Sequence, residues 1–520
     1  MNYADLFRVT LPETALEIAA LVVLVVDLGY LRKAALRVRV IVAALLGVAG
    51  CGAALWTVGL QNGNGVLVGG WEVLVVSPVA VVAQVGILVL TALTLLLLIS
   101  EDFTRHVGEY VAVVLMAATG GLLIAAAQDL LVIFIGLELL SLGLYILTAF
   151  AKSSGKSAEA SMKYYLFGGM SAAFLLFGFS YLYGLSGSTN LAEIEQSIPQ
   201  AGMPLLYVAW VLIVAGLGFK VAAVPFHLWA PDTYEGAPAP AAAFIASVSK
   251  LASFALLLSF TYGLFQPGKV IIGPPHLLDE YFRIEFAIWQ PLLIVLLVVA
   301  AASMVVGNLA ALAQASVRRL LAYSAIAHAG YILLGVAVRR PYPGHGDSFR
   351  FVLDSFGPAL RSTNAILFYI LTYGLTTIGA FGVVSVVERA TGSDRIDSFV
   401  GLNKRNPLLA AVLLVLFLSL AGIPPLVGFY AKFNLFAAVL GVSAGPVPFA
   451  LVALAVALSV VSLYYYLQVL KRAYVVPAVD ESPIKAHPVT LTVLVAIATA
   501  VVALGCFPAL LQNWIESFYK

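Results

Sequence analysis

Apolar runs of membrane length recur along this chain from one end to the other, and they leave few folds open. A bilayer core about 30 Å thick takes about 20 predominantly apolar residues of helix. Fourteen runs of suitable length lie at 16–31, 40–60, 77–100, 110–127, 130–150, 160–185, 204–224, 240–262, 291–313, 320–338, 364–387, 407–440, 449–469 and 489–507. The twelfth is too long for one plain span and is interrupted by Gly422-Ile423-Pro424-Pro425. Apolar residues make up 62% of the 520 and charged residues only 10%, which no soluble core requires. The expected fold class is therefore all-α, a polytopic membrane protein of about 14 transmembrane helices embedded in a lipid bilayer.

Smaller features narrow the class. A net charge of +2 argues against nucleic acid as a partner. Cys51 and Cys506 both lie in apolar runs and suggest neither a disulfide framework nor a metal site. The opening MNYADLFRVTLPETALE lacks a charged n-region and a small-residue cleavage site, so the first run reads as a retained helix. No phosphate-binding loop, no Rossmann glycine pattern, no cysteine cluster for iron–sulfur and no HExxH is present. If the chain serves a redox system, the redox chemistry lies elsewhere.

Positive charge orients the spans. Counted by the loops they flank, 17 Lys/Arg fall on one side and 8 on the other, and the remaining three are Lys220, Lys250 and Lys432. Odd-numbered spans then exit to the cytoplasm and both termini face outward. Spans 7 and 12 each pair a proline-containing break with a lysine, and they lie five spans apart, so they cross in opposite senses. Interrupted helices at matching positions of two halves are the signature of inverted repeats. The expected organisation is spans 1–3 in residues 1–108, a first repeat of spans 4–8 in 109–263, a second repeat of spans 9–13 in 288–475, and span 14 in 488–520.

The charges inside apolar runs carry the chemistry. The segment GLGFKVAAVPFHLWAPDTYEGAPAPAAAFIASVSK holds Lys220, His227, Asp232, Glu235 and Lys250 with four prolines. Pro225 offers no N–H to the carbonyl of Val221, so span 7 should kink or stop there. Lys220 beside that break is either part of an ion path or a lysine snorkelling from a helix end. Glu138, in IGLELLSLGLYIL, is mid-span and too deep to snorkel; it must be protonated or paired, and Lys220 is the candidate partner. The alternative is a fixed structural ion pair. Lys250 is mid-span in span 8, and burial lets a lysine exchange a proton near neutral pH; the alternative is a permanently neutral or solvated lysine. Lys432 follows the Gly-Ile-Pro-Pro break, where Pro424 and Pro425 free backbone carbonyls. His328, in LLAYSAIAHAGYILLGV, suits a proton relay between Lys250 and Lys432, or is a core histidine bonded to Ser or Tyr. His227 sits at a mouth or packs a loop, Asp129 reads as a helix cap, and Asp27 as a carboxylate facing water near a span end.

Four stretches together, FKVAAVPFHLWAPDTYEGAPAP, GLELLSL, RRLLAYSAIAHAGYILLG and AGIPPLVGFYAKF, resemble the antiporter-like subunits of proton-pumping NADH:quinone oxidoreductase, respiratory complex I. The resemblance covers essentially the whole chain. Within that family the wording APDTYEGAPAP and the lysine at 432 favour the subunit N group over the sibling subunits L and M. The resemblance implies fourteen helices with broken helices 7 and 12, and a translocase subunit that supplies one proton path. It implies that Glu138 and Lys220 form a modulating pair, Lys250 is the central proton carrier and Lys432 belongs to the second half-channel. It further implies no cofactor in this chain, with flavin, iron–sulfur clusters and quinone in partner subunits, and other membrane and peripheral subunits of the complex as partners. The expected location is a bacterial inner membrane. The stretches 270–286 and 341–361 look longer than the family needs. Two other classes remain: a subunit of a multisubunit cation/proton antiporter, distinguished by the absence of neighbouring genes for NADH-binding subunits, and a non-pumping scaffold, which would need no buried lysines.

Overall fold

The computed structural model describes residues 7–62, 73–197, 203–263, 275–338, 348–442, 445–477 and 482–519. Among them the secondary structure is helical, with only isolated bridges such as Asp129 to Asn190. Among the described residues eleven helices are long and apolar enough to cross a membrane, and shorter apolar helices at Pro204–Lys220, Pro407–Ala421 and Val427–Val442 belong to the two broken spans. Span 1 is Leu11–Val25 continued by a π-helical turn, Val26–Tyr30. All fourteen expected spans are present. An additional short helix, Ala509–Ser517, follows span 14 and is too short to register as an apolar run.

Local chemistry explains where spans begin. Ser77, Asp129, Ser154, Ser316 and Asn406 each accept a hydrogen bond from a first-turn N–H, which satisfies donors that a helix start leaves orphaned. Pro78, Pro407, Pro446 and Pro488 occupy first-turn positions where no N–H is needed. Asp129 is thus the cap expected of it. Asp27 corrects the sequence reading: it is 1% exposed, paired with Arg39 at 2.7 and 2.6 Å, and accepts from the Gly108 N–H at 3.1 Å. Its partners come from the next helix and from span 4, which sequence position alone does not bring near. The long stretches after spans 8 and 10 are also partly helical, since span 9 begins at Pro275 and span 11 at Ser348; 270–274 and 341–347 lie outside the described residues.

Small residues set the interhelical distances that position the site. A Cβ on Gly120 in span 4 would lie 2.5 Å from the Leu140 nitrogen of span 5, and one on Gly307 in span 9 would lie 2.5 Å from the Ala327 nitrogen of span 10. Backbones at such contacts touch, as membrane helices without a hydrophobic driving force require. Span 8 is buried over 100% of its most apolar stretch, span 10 over 94% and span 11 over 89%. Polar side chains on these three central helices therefore face protein rather than lipid.

Candidate functional site

Span 7 stops where its proline predicts. The helix Met203–Lys220 ends, an irregular segment follows, and Trp229–Gly236 completes the span. Ala222 takes a left-handed conformation, φ 58. Carbonyls near the break find local donors: Ala223 N–H bonds Gly218, while Ala222 N–H and the Trp229 indole both bond Phe219. The Val224 N–H is taken by Ser303 of span 9 at 2.9 Å. Lys220 is left to reach sideways, and its Nζ donates to Ser141 Oγ at 2.5 Å.

Glu138 is not in direct contact with Lys220, which corrects the expected ion pair. The lysine meets Ser141, three residues further along span 5. A spacing of three puts the two side chains about 60° apart around the helix. Glu138 lies half-exposed on the stripe of Leu131, Ile135, Leu142 and Ile146, which faces away from the protein interior. The contact to Lys220 is made by Ser141, with the carboxylate one turn away on the outer stripe.

Lys250 opens the helix Lys250–Gly263 directly after a π-helical turn, Ile245–Ser249, inside span 8. Turns of this kind inside α-helices are frequent at functional sites. Its Nζ donates to the Ala325 carbonyl of span 10 at 2.5 Å and lies 5.9 Å from the ring centre of Tyr373 in span 11, within reach of a cation–π attraction. His328 packs on the same Tyr373 ring at 4.8 Å, and its Nδ1 is 2.8 Å from the Tyr369 hydroxyl. Tyr331, one turn beyond His328, has its ring 5.7 Å from the imidazole and 5.5 Å from Lys432 Nζ. His328 therefore stands between the two lysines with one ring bridging to each.

Span 12 breaks between Pro407–Ala421 and Val427–Val442. In an unbroken helix residues 424 and 425 would donate to the carbonyls of Leu420 and Ala421, but both are prolines. Lys432 takes those places: its Nζ donates to Leu420 and Ala421 oxygens, each at 3.0 Å, and to Ser459 Oγ at 2.8 Å. Gly422 turns the chain at φ +88, and a Cβ there would lie 3.1 Å from Lys432 Cδ. The first half of span 12 has 15 residues, so the ammonium sits about 22 Å from the helix start.

Lys220, Lys250 and Lys432 are 8%, 3% and 5% exposed, so none snorkels to water. A charge pattern on the basic face anchors the second half of span 7. Asp232 binds Lys163 at 2.8 Å and Arg319 at 2.6 Å, and Glu235 binds Lys156 and Arg319, each at 3.1 Å. His227 lies half-buried in the break with Nδ1 unpartnered. Ser141, Ser459, Tyr331, Tyr369 and Tyr373 were not singled out from sequence. Tyr331 follows His328 by three residues and Ser141 follows Glu138 by three, so one-turn spacing was the available signal. Among the described residues no three His, Cys, Asp or Glu side chains gather as a metal site would need.

Residues 127–271, 280–345 and 351–461 match the family described as NADH:quinone oxidoreductase/Mrp antiporter, TM. The chain is 46% identical over 526 aligned residues to NADH-quinone oxidoreductase subunit N 2 of Acidobacterium capsulatum, covering 99% of each. It is 41% identical to NADH-quinone oxidoreductase subunit N 1 of Roseiflexus castenholzii, covering 82% of this chain and 76% of that one. A chain of respiratory complex I from Thermus thermophilus with bound aureothin is similar at 31% identity and TM-score 0.74, over 96% of this chain and 98% of that one. A chain of the Mrp complex from Dietzia sp., at 23% identity and TM-score 0.75 over 97% of this chain and 96% of that one, shares the fold.

Proposed function

This chain belongs to the NADH:quinone oxidoreductase/Mrp antiporter membrane family as an antiporter-like subunit of the subunit N group, and from that membership we propose a residue-level proton path. Lys220, held by Ser141, receives a proton on the basic, cytoplasmic side under the through-space influence of Glu138. Lys250 carries it at the centre, His328 with Tyr373 and Tyr331 passes it on, and Lys432 delivers it toward the outer face. The observation that carries this reading is the spacing of three buried ammonium groups with an imidazole between the last two.

The chemistry asked of each group is modest. A lysine buried among protein atoms is costly as an ammonium and cheap as an amine, so a small field change moves its proton. Glu138 on the lateral face is placed to sense a charge on a neighbouring subunit. The organisation proposed is two inverted repeats, 109–263 and 288–475, with termini outward in a bacterial inner membrane. The chain then serves as a translocase subunit, while flavin, iron–sulfur clusters and quinone reside in partner subunits.

The test is the intact complex in proteoliposomes with Lys220, Lys250 and Lys432 replaced together by Ala. Proton movement per NADH oxidised is expected to fall. Undiminished pumping would reduce this chain to a scaffold. Lys250→Arg is expected to restore packing without restoring pumping, since a guanidinium holds its proton too tightly to release it.

A further inference from the structure

Resting on that path, we infer that the second half has its own inlet from the basic face, ending at Tyr331, with Asn308 as the residue that orders it. A cavity of about 280 Å³ opens between spans 9, 10 and 13, with Gln314, Asp397, Gln468 and Arg472 near its rim and Tyr465 at its floor. Each liquid water takes about 30 Å³, so the cavity holds several. Arg472 pairs with Asp397 at 3.5 Å and donates to Gln468 at 3.4 Å, which keeps the walls polar.

From the floor a hydrogen-bonded chain runs inward. The Tyr465 hydroxyl donates to Asn308 Oδ1 at 3.2 Å, and Asn308 Nδ2 donates to the Tyr331 hydroxyl at 3.1 Å. The amide orientation is fixed independently, because Nδ2 also donates to the Met304 carbonyl at 2.8 Å, and a carbonyl only accepts. Every donor therefore points inward. Tyr331 accepts from Asn308 and keeps its own O–H to donate onward, beside Lys432 and His328. Tyr465, Asn308 and Tyr331 are all buried, so the chain is shielded between the cavity and the lysine.

The proton balance is simple. A proton leaves the Tyr331 hydroxyl through a bridging water for the free amine of Lys432, whose nitrogen lies 5.5 Å from the Tyr331 ring centre, and in the same concerted step cavity water entering beside Asn308 returns a proton to the phenolate. The net change is one proton from cavity water to Lys432, with hydroxide left to the bulk. An amide does not relay a proton readily, so Asn308 holds the polarity of the chain and admits passage only when water joins it. Asn308 is a positioning residue.

The experiment uses the whole complex in proteoliposomes. Asn308→Leu keeps the branched shape and breaks all three hydrogen bonds, to Met304, Tyr331 and Tyr465; proton movement per NADH is expected to fall about tenfold or more, given that positioned proton-transfer groups contribute about 10²–10⁴-fold and water replaces some of that. Asn308→Asp, which as the acid offers one donor and one acceptor, is expected to restore most of it. Tyr465→Phe, a mild change, is expected to lower pumping with subunit content unchanged. Gln468→Cys, with Cys51 and Cys506 replaced, is expected to react with a membrane-impermeant thiol reagent from the basic face alone. Full pumping by both Asn308→Leu and Tyr465→Phe, alongside loss in Lys432→Ala, overturns the inlet and leaves the proposed path standing. Full pumping by Lys432→Ala as well overturns the path itself. Labelling of Gln468→Cys only from the opposite face also overturns the inlet.

Discussion

The two broken helices solve one problem in opposite ways. Each stops at proline, leaves carbonyls without helical donors, and brings an ammonium to the end of its first half. In span 7 the break closes its own carbonyls with backbone N–H groups and the Trp229 indole, so Lys220 is released to a hydroxyl on another helix. In span 12 two adjacent prolines leave Leu420 and Ala421 oxygens open, and Lys432 reaches back across the break to fill both. The negative end of a helix dipole favours a cation in both cases. The difference is that Lys220 is weakly held and easily influenced, whereas Lys432 is part of the architecture of its break. The first suits a group that responds to a neighbour, and the second a group that must keep its place while its charge changes.

The largest effect that would break this comparison is on stability. Lys432→Ala strips the lysine donor from the Leu420 oxygen, at about 1–3 kcal/mol, leaves Ala421 to Ser459 alone at 3.3 Å, and removes the proton carrier. It is expected to abolish coupled pumping and to lower the thermal inactivation temperature of the detergent-solubilised complex. Lys220→Ala loses one hydrogen bond, about 1 kcal/mol, and is expected to uncouple with a smaller thermal shift. A larger thermal shift for Lys220→Ala would reverse the assignment of roles. Lys432→Glu sharpens the point: a carboxylate facing two carbonyl oxygens is repelled, so the variant functions only if the acid stays protonated, and then it serves one acceptor of three.

An intermediate effect concerns Glu138. Glu138→Gln is expected to lower quinone reductase activity coupled to pumping about fivefold, the low end of site-to-site coupling, with assembly intact. Ser141→Ala should reproduce part of that loss, because the serine makes the lysine contact. Full-rate pumping by Glu138→Gln removes the carboxylate from the mechanism, and a silent Ser141→Ala makes the through-space influence sufficient without it.

Much of this was legible because the relevant physics is local. Apolar run length located the spans, Asp129 read as the cap it is, and Pro225 and Pro424-Pro425 located the breaks. Lysines in apolar runs announced themselves by their cost. What escaped depended on neighbours distant in sequence. Asp27 looked like a carboxylate at a span end because Arg39 and Gly108 join it only after three helices pack. Tyr331 and Tyr373 carried no sequence signal of their own, since tyrosines are common in apolar helices. The Glu138–Lys220 contact was overdrawn because two charges on adjacent helices suggest a bond, while the rotation of span 5 decides which residue makes it. Spans 9 and 11 extend beyond their apolar runs, since a helix does not end where hydrocarbon does.

The smallest expected effect tests the turns themselves. Gly422 and Ala222 both have positive φ, 88 and 58, at matching places in the two breaks. An L-residue with a Cβ costs about 1–2 kcal/mol in that region, and glycine avoids it. At 222 the space around the side chain is occupied by alanine already, so Ala222→Gly is expected to be neutral or to raise the inactivation temperature slightly, with pumping unchanged. At 422 the same two residues exchange in the opposite sense with an added penalty: the new Cβ would press on Lys432 Cδ at 3.1 Å and Nζ at 3.3 Å. Gly422→Ala should therefore lower the inactivation temperature and weaken pumping, because displacing the lysine loosens its hold on Leu420 and Ala421. If Gly422→Ala shifts stability while pumping stays whole, Lys432 tolerates displacement and the fixed geometry of the second break is not what its chemistry needs. If both fall together, the conformation of a single glycine is what separates a lysine that is positioned from one that is merely present.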